Sequence, residues 1–96
     1  MKVFAIARIG QGVTLDTLQP YLPKEVPATL GHYLEGKIEQ FWFRDKAGPI
    51  FLMNVESVDE AKATLDTLPL VEAKLMTYEL MPVGPLMPLG RLIQQK

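Results

Sequence analysis

The sequence predicts an α+β fold of ferredoxin-like plan: a β-α-β-β-α-β chain whose four strands form one antiparallel sheet with both helices on the same face. Three observations carry this prediction. Runs rich in Val, Ile, Phe and Leu occupy residues 2–9, 37–55 and 73–83, with a turn at Asp45-Lys46-Ala47-Gly48 dividing the middle one into a hairpin. An apolar period of three and four residues fills positions 14–35, between the first strand and that hairpin. A second helical stretch opens at Ser57-Val58-Asp59-Glu60 and closes at Leu68-Pro69-Leu70.

The first strand is nearly continuous in apolar residues, which suits a central strand covered on both faces. Its alternation sets Val3, Ala5 and Ala7 on one face and Phe4, Ile6 and Arg8 on the other. Arg8, at the end of such a strand, reads as an edge-of-sheet ion pair. Thr14 offers an N-cap for the next segment. There Leu15, Leu18, Leu22, Val26, Leu30 and Tyr33 form one helical face. Pro20, Pro23 and Pro27 interrupt it, each lacking an amide donor and clashing with the preceding turn. The segment is therefore one helix bent at the prolines, or two shorter helices with Pro23 in the first turn of the second.

In the hairpin, strict alternation groups Lys37, Glu39, Phe41 and Phe43 on one face and Ile38, Gln40, Trp42 and Arg44 on the other. Gly48 can supply a positive φ at the turn, and Pro49 falls at a strand start, where a missing donor is tolerated. Ser57 and Glu60 form a capping box, with Asp59 and Glu60 suited to the positive end of the helix dipole. Val58, Ala61, Leu65 and Leu68 face the core. The two helices leave the other sheet face bare. Phe4, Ile6, Ile38 and Trp42 are assigned to it and are too apolar to leave in water. Two sheets closing face to face would bury that surface, at roughly 25 cal/mol per Å² of apolar area. A homodimer follows, with residues 1–96 as one domain and the apolar tail at 84–96 packing on the partner subunit.

Composition narrows the function. Ninety-six residues, 48% hydrophobic and 22% charged, make one soluble domain. A net charge of −1 without a Lys/Arg run argues against nucleic acid as a partner. With no Cys and one His, thiol chemistry is excluded and a multi-His metal centre cannot form. No stretch approaches the roughly 20 apolar residues of a membrane span, and Arg8 interrupts the short N-terminal apolar run where a signal peptide would continue. A cytoplasmic protein is the default.

The run Gly36…Trp42-Phe43-Arg44, the glycine turn, Ser57-Val58-Asp59-Glu60-Ala61 and Leu65-Asp66-Thr67-Leu68-Pro69-Leu70 resemble the muconolactone isomerase-like proteins of the dimeric α+β barrel superfamily. The resemblance spans Gly36 to about Pro85, and the helix-to-Leu-Pro-Leu junction is its most specific part. It implies a βαββαβ subunit, a dimer or a ring of dimers, no cofactor, and a cleft between sheet and helices. The isomerases carry a strand His where this chain has Gln40, so only Trp42 carries over, as a pocket wall. The catalytic assignment does not transfer.

Chemistry is then read from the residues that remain. A proton-shifting enzyme needs a base near neutral pKa and a group to hold the substrate's anion. His32 has a suitable unperturbed pKa. In continuous helical phase it shares a flank with Tyr21 and Glu25, which makes His32 and Glu25 the candidate catalytic residues; the alternative is a solvated polar flank. Arg44 is the candidate anion clamp, beside Trp42 and Gln40 on one strand face, or else an ion-pair partner of Asp45 or Glu79. Tyr78 could present its hydroxyl to a pocket, or sit in the core with that hydroxyl satisfied. Two functions stay open. One is a cofactor-free isomerase or lyase acting on a small unsaturated carboxylate or lactone. The other is a non-catalytic homodimer that binds an apolar small molecule or serves only in assembly.

Overall fold

The computed structural model describes residues 1–84. The expected packing of the 84–96 tail on a partner therefore lies, beyond Gly84, outside the described residues. Strand β1 (Lys2–Ile9) leads through a short helix α1 (Leu15–Leu18) and a 3₁₀ turn (Gln19–Tyr21) into helix α2 (Leu22–Leu34). The hairpin β2 (Ile38–Arg44) and β3 (Gly48–Asn54) follows, then α3 (Val58–Asp66), a four-residue helix α4 (Pro69–Glu72) and β4 (Met76–Val83). The sheet order is β2-β3-β1-β4, antiparallel throughout, with β1 in the interior as its apolar run requires.

The prolines break the first helical segment in two. Thr14 caps α1, its hydroxyl accepting from the Thr17 amide, and Pro20 enters the first positions of the 3₁₀ turn. Pro23 lies in the first turn of α2, where its missing donor is harmless, while Pro27 sits inside that helix. In α3 the Ser57 hydroxyl accepts from the Glu60 amide at 3.1 Å. Glu60 reaches back to the Glu56 amide, one residue before the cap residue that a closed capping box would engage.

The core lies between the sheet and α3–α4. Val3, Ala5, Phe51 and Met53 meet Ala61, Leu65 and Leu68, with Ala28, Val58 and Leu80 packed around them. Ile38 belongs to this group and is buried, so the strand-face assignment given above needs correction. The β2–β3 register shifts between Ile38, opposite Met53, and Gln40, opposite Leu52, leaving Glu39 as an extra residue. That bulge reverses the alternation for everything before it. Ile38, Phe41 and Phe43 share the helix-facing side with Met53, Phe51 and Pro49; Gln40, Trp42 and Arg44 share the opposite side with Phe4 and Ile6. On that open face the Trp42 ring leans on Phe4 with centroids 6.3 Å apart. Ion pairs Lys2–Glu39 and Arg8–Glu79 tie strands together, the second meeting the expectation for Arg8.

Candidate functional site

The apolar stripe predicted for residues 14–35 closes onto the sheet only in part. Leu15 is 66% exposed, Val26 53% and Leu30 43%. Broken at Gln19–Tyr21, the segment meets β2 through Tyr33 on Phe41 and leaves a cavity of about 950 Å³ along the rest of its stripe. Leu15, Leu18, Leu22, Val26 and Leu30 form its helical wall, Phe41, Phe43, Pro49 and Phe51 its sheet wall, and Ile9, Leu70 and Met76 its end. Among the described residues, Thr14, Glu25, Thr29, Asp45 and Lys46 are the side chains with hydroxyl or charged groups that border it. A chamber this large and this apolar, with few polar groups, has the anatomy of a small-molecule site.

Glu25 is the buried carboxyl at its wall. It is the one buried residue of α2, 7% exposed. Its Oε1 accepts the Leu70 backbone amide at 2.9 Å, across 45 residues of sequence. That amide is a first-turn donor of α4, one of the groups a helix start leaves unpaired. Pro69 opens that helix, so the Leu-Pro-Leu junction presents its N–H to a side chain on α2. Burial pushes the Glu25 carboxyl above the usual carboxylate value, while the Leu70 amide and the Thr29 hydroxyl partly offset the rise.

Tyr78 stands beside this carboxyl in the core. Its ring stacks on Phe51 with centroids 5.5 Å apart, and its hydroxyl is buried without a hydrogen-bond partner among the described residues. Burial drives its pKa far up, and the Glu25 charge adds to the rise. The tyrosine is a core residue, as one sequence reading had it, but with its hydroxyl unsatisfied.

The other sequence candidates separate. Trp42 borders the cavity while its ring packs on the open face. Gln40 and Arg44 lie on the open-face side of β2, outside the cavity lining. The Arg44 guanidinium donates to the carbonyls of Ala7 (2.6 Å), Ala47 (2.9 Å) and Gly48 (3.3 Å), which fastens the hairpin turn to β1. His32 points away from the cavity, with Nε2 2.8 Å from the Thr67 hydroxyl and Nδ1 3.2 Å from Glu35. Glu25 and Trp42 are thus the two candidates that the cavity gathers. Phe41, Phe43, Thr29 and Lys46 were missed. Strict period-two counting set these aromatics opposite Ile38, because the extra residue at Glu39 shifts the phase between them.

No protein-family model matches the chain, and no curated protein matches it in sequence. Among solved structures it is similar to 5-chloro-2-hydroxyhydroquinone dehydrochlorinase (TftG) from Burkholderia phenoliruptrix AC1100, in complex with 2,5-dihydroxybenzoquinone. The TM-score is 0.72 at 17% sequence identity, covering 88% of this chain and 94% of that one. The two share the fold, a four-stranded antiparallel sheet with its helices on one face. At this identity the likeness carries the fold alone, and the ligand reading rests on the cavity.

Proposed function

We propose that the cavity between α1–α2 and the sheet binds a small oxygenated ring compound, and that Glu25 moves a proton on it in a cofactor-free isomerisation or elimination. The observation that carries this reading is a buried carboxyl, raised in pKa, at the wall of a large apolar chamber. A general base works best with a pKa near the operating pH, and burial moves Glu25 in that direction. Its carboxylate would take a proton from a ring carbon or hydroxyl. In an isomerisation the same group returns the proton to a second carbon of the conjugated system. In an elimination the electron pair left behind forms the new double bond, and the leaving group departs with its own pair. The dehydrochlorinase of similar fold, seen with a dihydroxybenzoquinone, supports the choice of an oxygenated ring as ligand. A muconolactone isomerase-like activity is one case of the proposed chemistry. The Leu70 amide keeps the carboxylate aimed, and Phe41 and Phe43 supply apolar faces for the ring. Among the described residues Lys46 is the cation bordering the cavity, so an anionic substituent would meet it rather than Arg44.

The test is a panel of hydroxylated quinones, hydroquinones and unsaturated lactones scored by thermal shift and by ultraviolet-monitored turnover. Glu25→Gln should retain binding and lower kcat by about 10²–10⁴-fold, the usual contribution of a positioned acid or base. Turnover unchanged in that variant would overturn the role of Glu25, and no ligand-induced shift anywhere in the panel would overturn the site. Binding without turnover would favour the second reading, a non-catalytic carrier. That reading is supported by Glu25 being the one buried ionisable side chain among those lining the chamber.

We also propose that the open sheet face closes on a second copy. Phe4, Ile6, Ile50, Leu52, Trp42 and Met81 lie together on it, and two such faces would bury each other.

A further inference from the structure

We infer that His32 is a positioning residue for Glu25, acting through Thr67 and the Leu68-Pro69-Leu70 junction. The inference rests on the reading of Glu25 as the working carboxyl. Its chain of contacts is short. The Thr67 hydroxyl donates its one hydrogen to the Thr64 carbonyl at 2.6 Å, so toward His32 it can only accept. His32 Nε2, 2.8 Å away, therefore carries a hydrogen and donates it to Thr67. Thr67 is the C-cap of α3, and three residues on is Leu70, whose amide holds the Glu25 carboxylate at 2.9 Å.

His32 and Glu25 sit on the same helix, seven residues and about two turns apart. That helix is consequently pinned to a single connecting segment at two points. One pin is His32 on Thr67, where the segment begins. The other is Glu25 on Leu70, where it ends. Between them Leu68 is fully buried and Leu70 nearly so, which makes the segment a stiff spacer. Elsewhere α2 meets the open cavity along its apolar stripe, and its remaining anchors are Ala28 against the core and Tyr33 edge-on to Phe41. Loosening the first pin lets α2 swing, and the second pin lengthens. A longer Leu70 N–H···O bond stabilises the carboxylate less. The protonation state of Glu25 is thus set partly from His32, a side chain that lies outside the chamber. The ionisable groups facing His32 and Glu25 are Glu35 beside the imidazole, and Tyr78, Asp45 and Lys46 around the carboxyl or its cavity.

The experiment is an NMR pH titration of the Glu25 side-chain carboxyl and the Leu70 amide proton in the full-length protein. In the wild type both should report one ionisation. In His32→Ala the Glu25 midpoint should move to higher pH and the Leu70 amide response should shrink. His32→Gln, whose amide can still donate to Thr67, should restore both. Should His32→Ala fail to fold, Thr67→Val carries the same test by removing the acceptor, with Thr67→Ser as the control that keeps it. An unchanged Glu25 midpoint and Leu70 response in a folded His32→Ala or Thr67→Val variant would overturn the inference. The titration reads the linkage and turnover reads the chemistry, so either can fail without the other.

Discussion

At the scale of single residues, Glu25 does the most with the least local support. Its neighbours in sequence, Lys24 and Val26, are exposed, and nothing within a turn of it announces burial. The carboxyl is held by an amide 45 positions away, so its environment exists only once α2 and α4 have met. A carboxyl whose folded pKa lies above its ordinary 4.5 binds protons more readily folded than unfolded. Its stabilising share is fully present below the ordinary carboxylate range and is lost as pH rises through the raised value. Glu25→Gln, which keeps an oxygen for the Leu70 amide without the charge, should remove this dependence. Urea melts from acid to neutral pH should show the variant gaining stability over the wild type as pH rises, and parallel profiles would contradict it. Leu68, fully buried in the core, gives a plainer expectation. Leu68→Ala should cost about 2–5 kcal/mol, read as a lower urea midpoint.

Among the elements, the β2 bulge and the glycine turn decide which side chains reach the cavity. Ile38 pairs with Met53 and Gln40 with Leu52, so Glu39 is the residue in excess. Deleting Glu39 should give a regular ladder with Ile38, Phe41 and Phe43 still under the helices. The expected loss is that of one exposed ion pair with Lys2, within about 1 kcal/mol. Deleting Trp42 instead should throw Phe43 and Arg44 to opposite faces and lower the melting temperature steeply. Equal losses from the two deletions would show that the bulge is not where the phase changes. At the turn, Gly48 has φ +88°, and a Cβ there would meet the Ala7 Cβ at 3.1 Å. Gly48→Ala should destabilise by about 1–3 kcal/mol through backbone strain, with the close contact adding to it. A melting temperature equal to wild type would refute this.

Across the whole molecule, the two faces of the sheet have separate tasks. One is covered by α3 and α4 on one side and borders the cavity beneath α1 and α2 on the other. The opposite face presents Trp42, 46% exposed, and Met81, 43% exposed, beside Phe4 and Ile6. The proposed dimer predicts that Ile6→Arg, which sets a charge in the middle of that face, yields a monomer by sedimentation at micromolar concentration while the wild type sediments as a dimer. A wild-type monomer would remove the proposal. The cavity lies on the other side, so the loss of the dimer and the loss of ligand binding should be separable by variant.

What the amino-acid sequence determined by itself is the set of features that need only near neighbours. Thr14 and Ser57 start helices because their hydroxyls reach an amide three residues on. Pro20, Pro23 and Pro27 interrupt the apolar stripe because each lacks an amide hydrogen and crowds the turn before it, although the folded chain decided between one bent helix and two. Gly48 turns the hairpin, and the order of runs and caps specifies βαββαβ. Tertiary structure alone decided three other things. The phase of β2 depends on where an extra residue is accommodated against β3, which period-two counting cannot see. The six-residue apolar stripe of 14–35 reads as one helical face, yet much of it lines a chamber, because the broken helix covers the sheet only in part. And the choice among His32, Glu25 and Arg44 rested on partners remote in sequence: Thr67 for the histidine, the Ala7 carbonyl for the arginine, and the Leu70 amide for the carboxyl left beside the cavity.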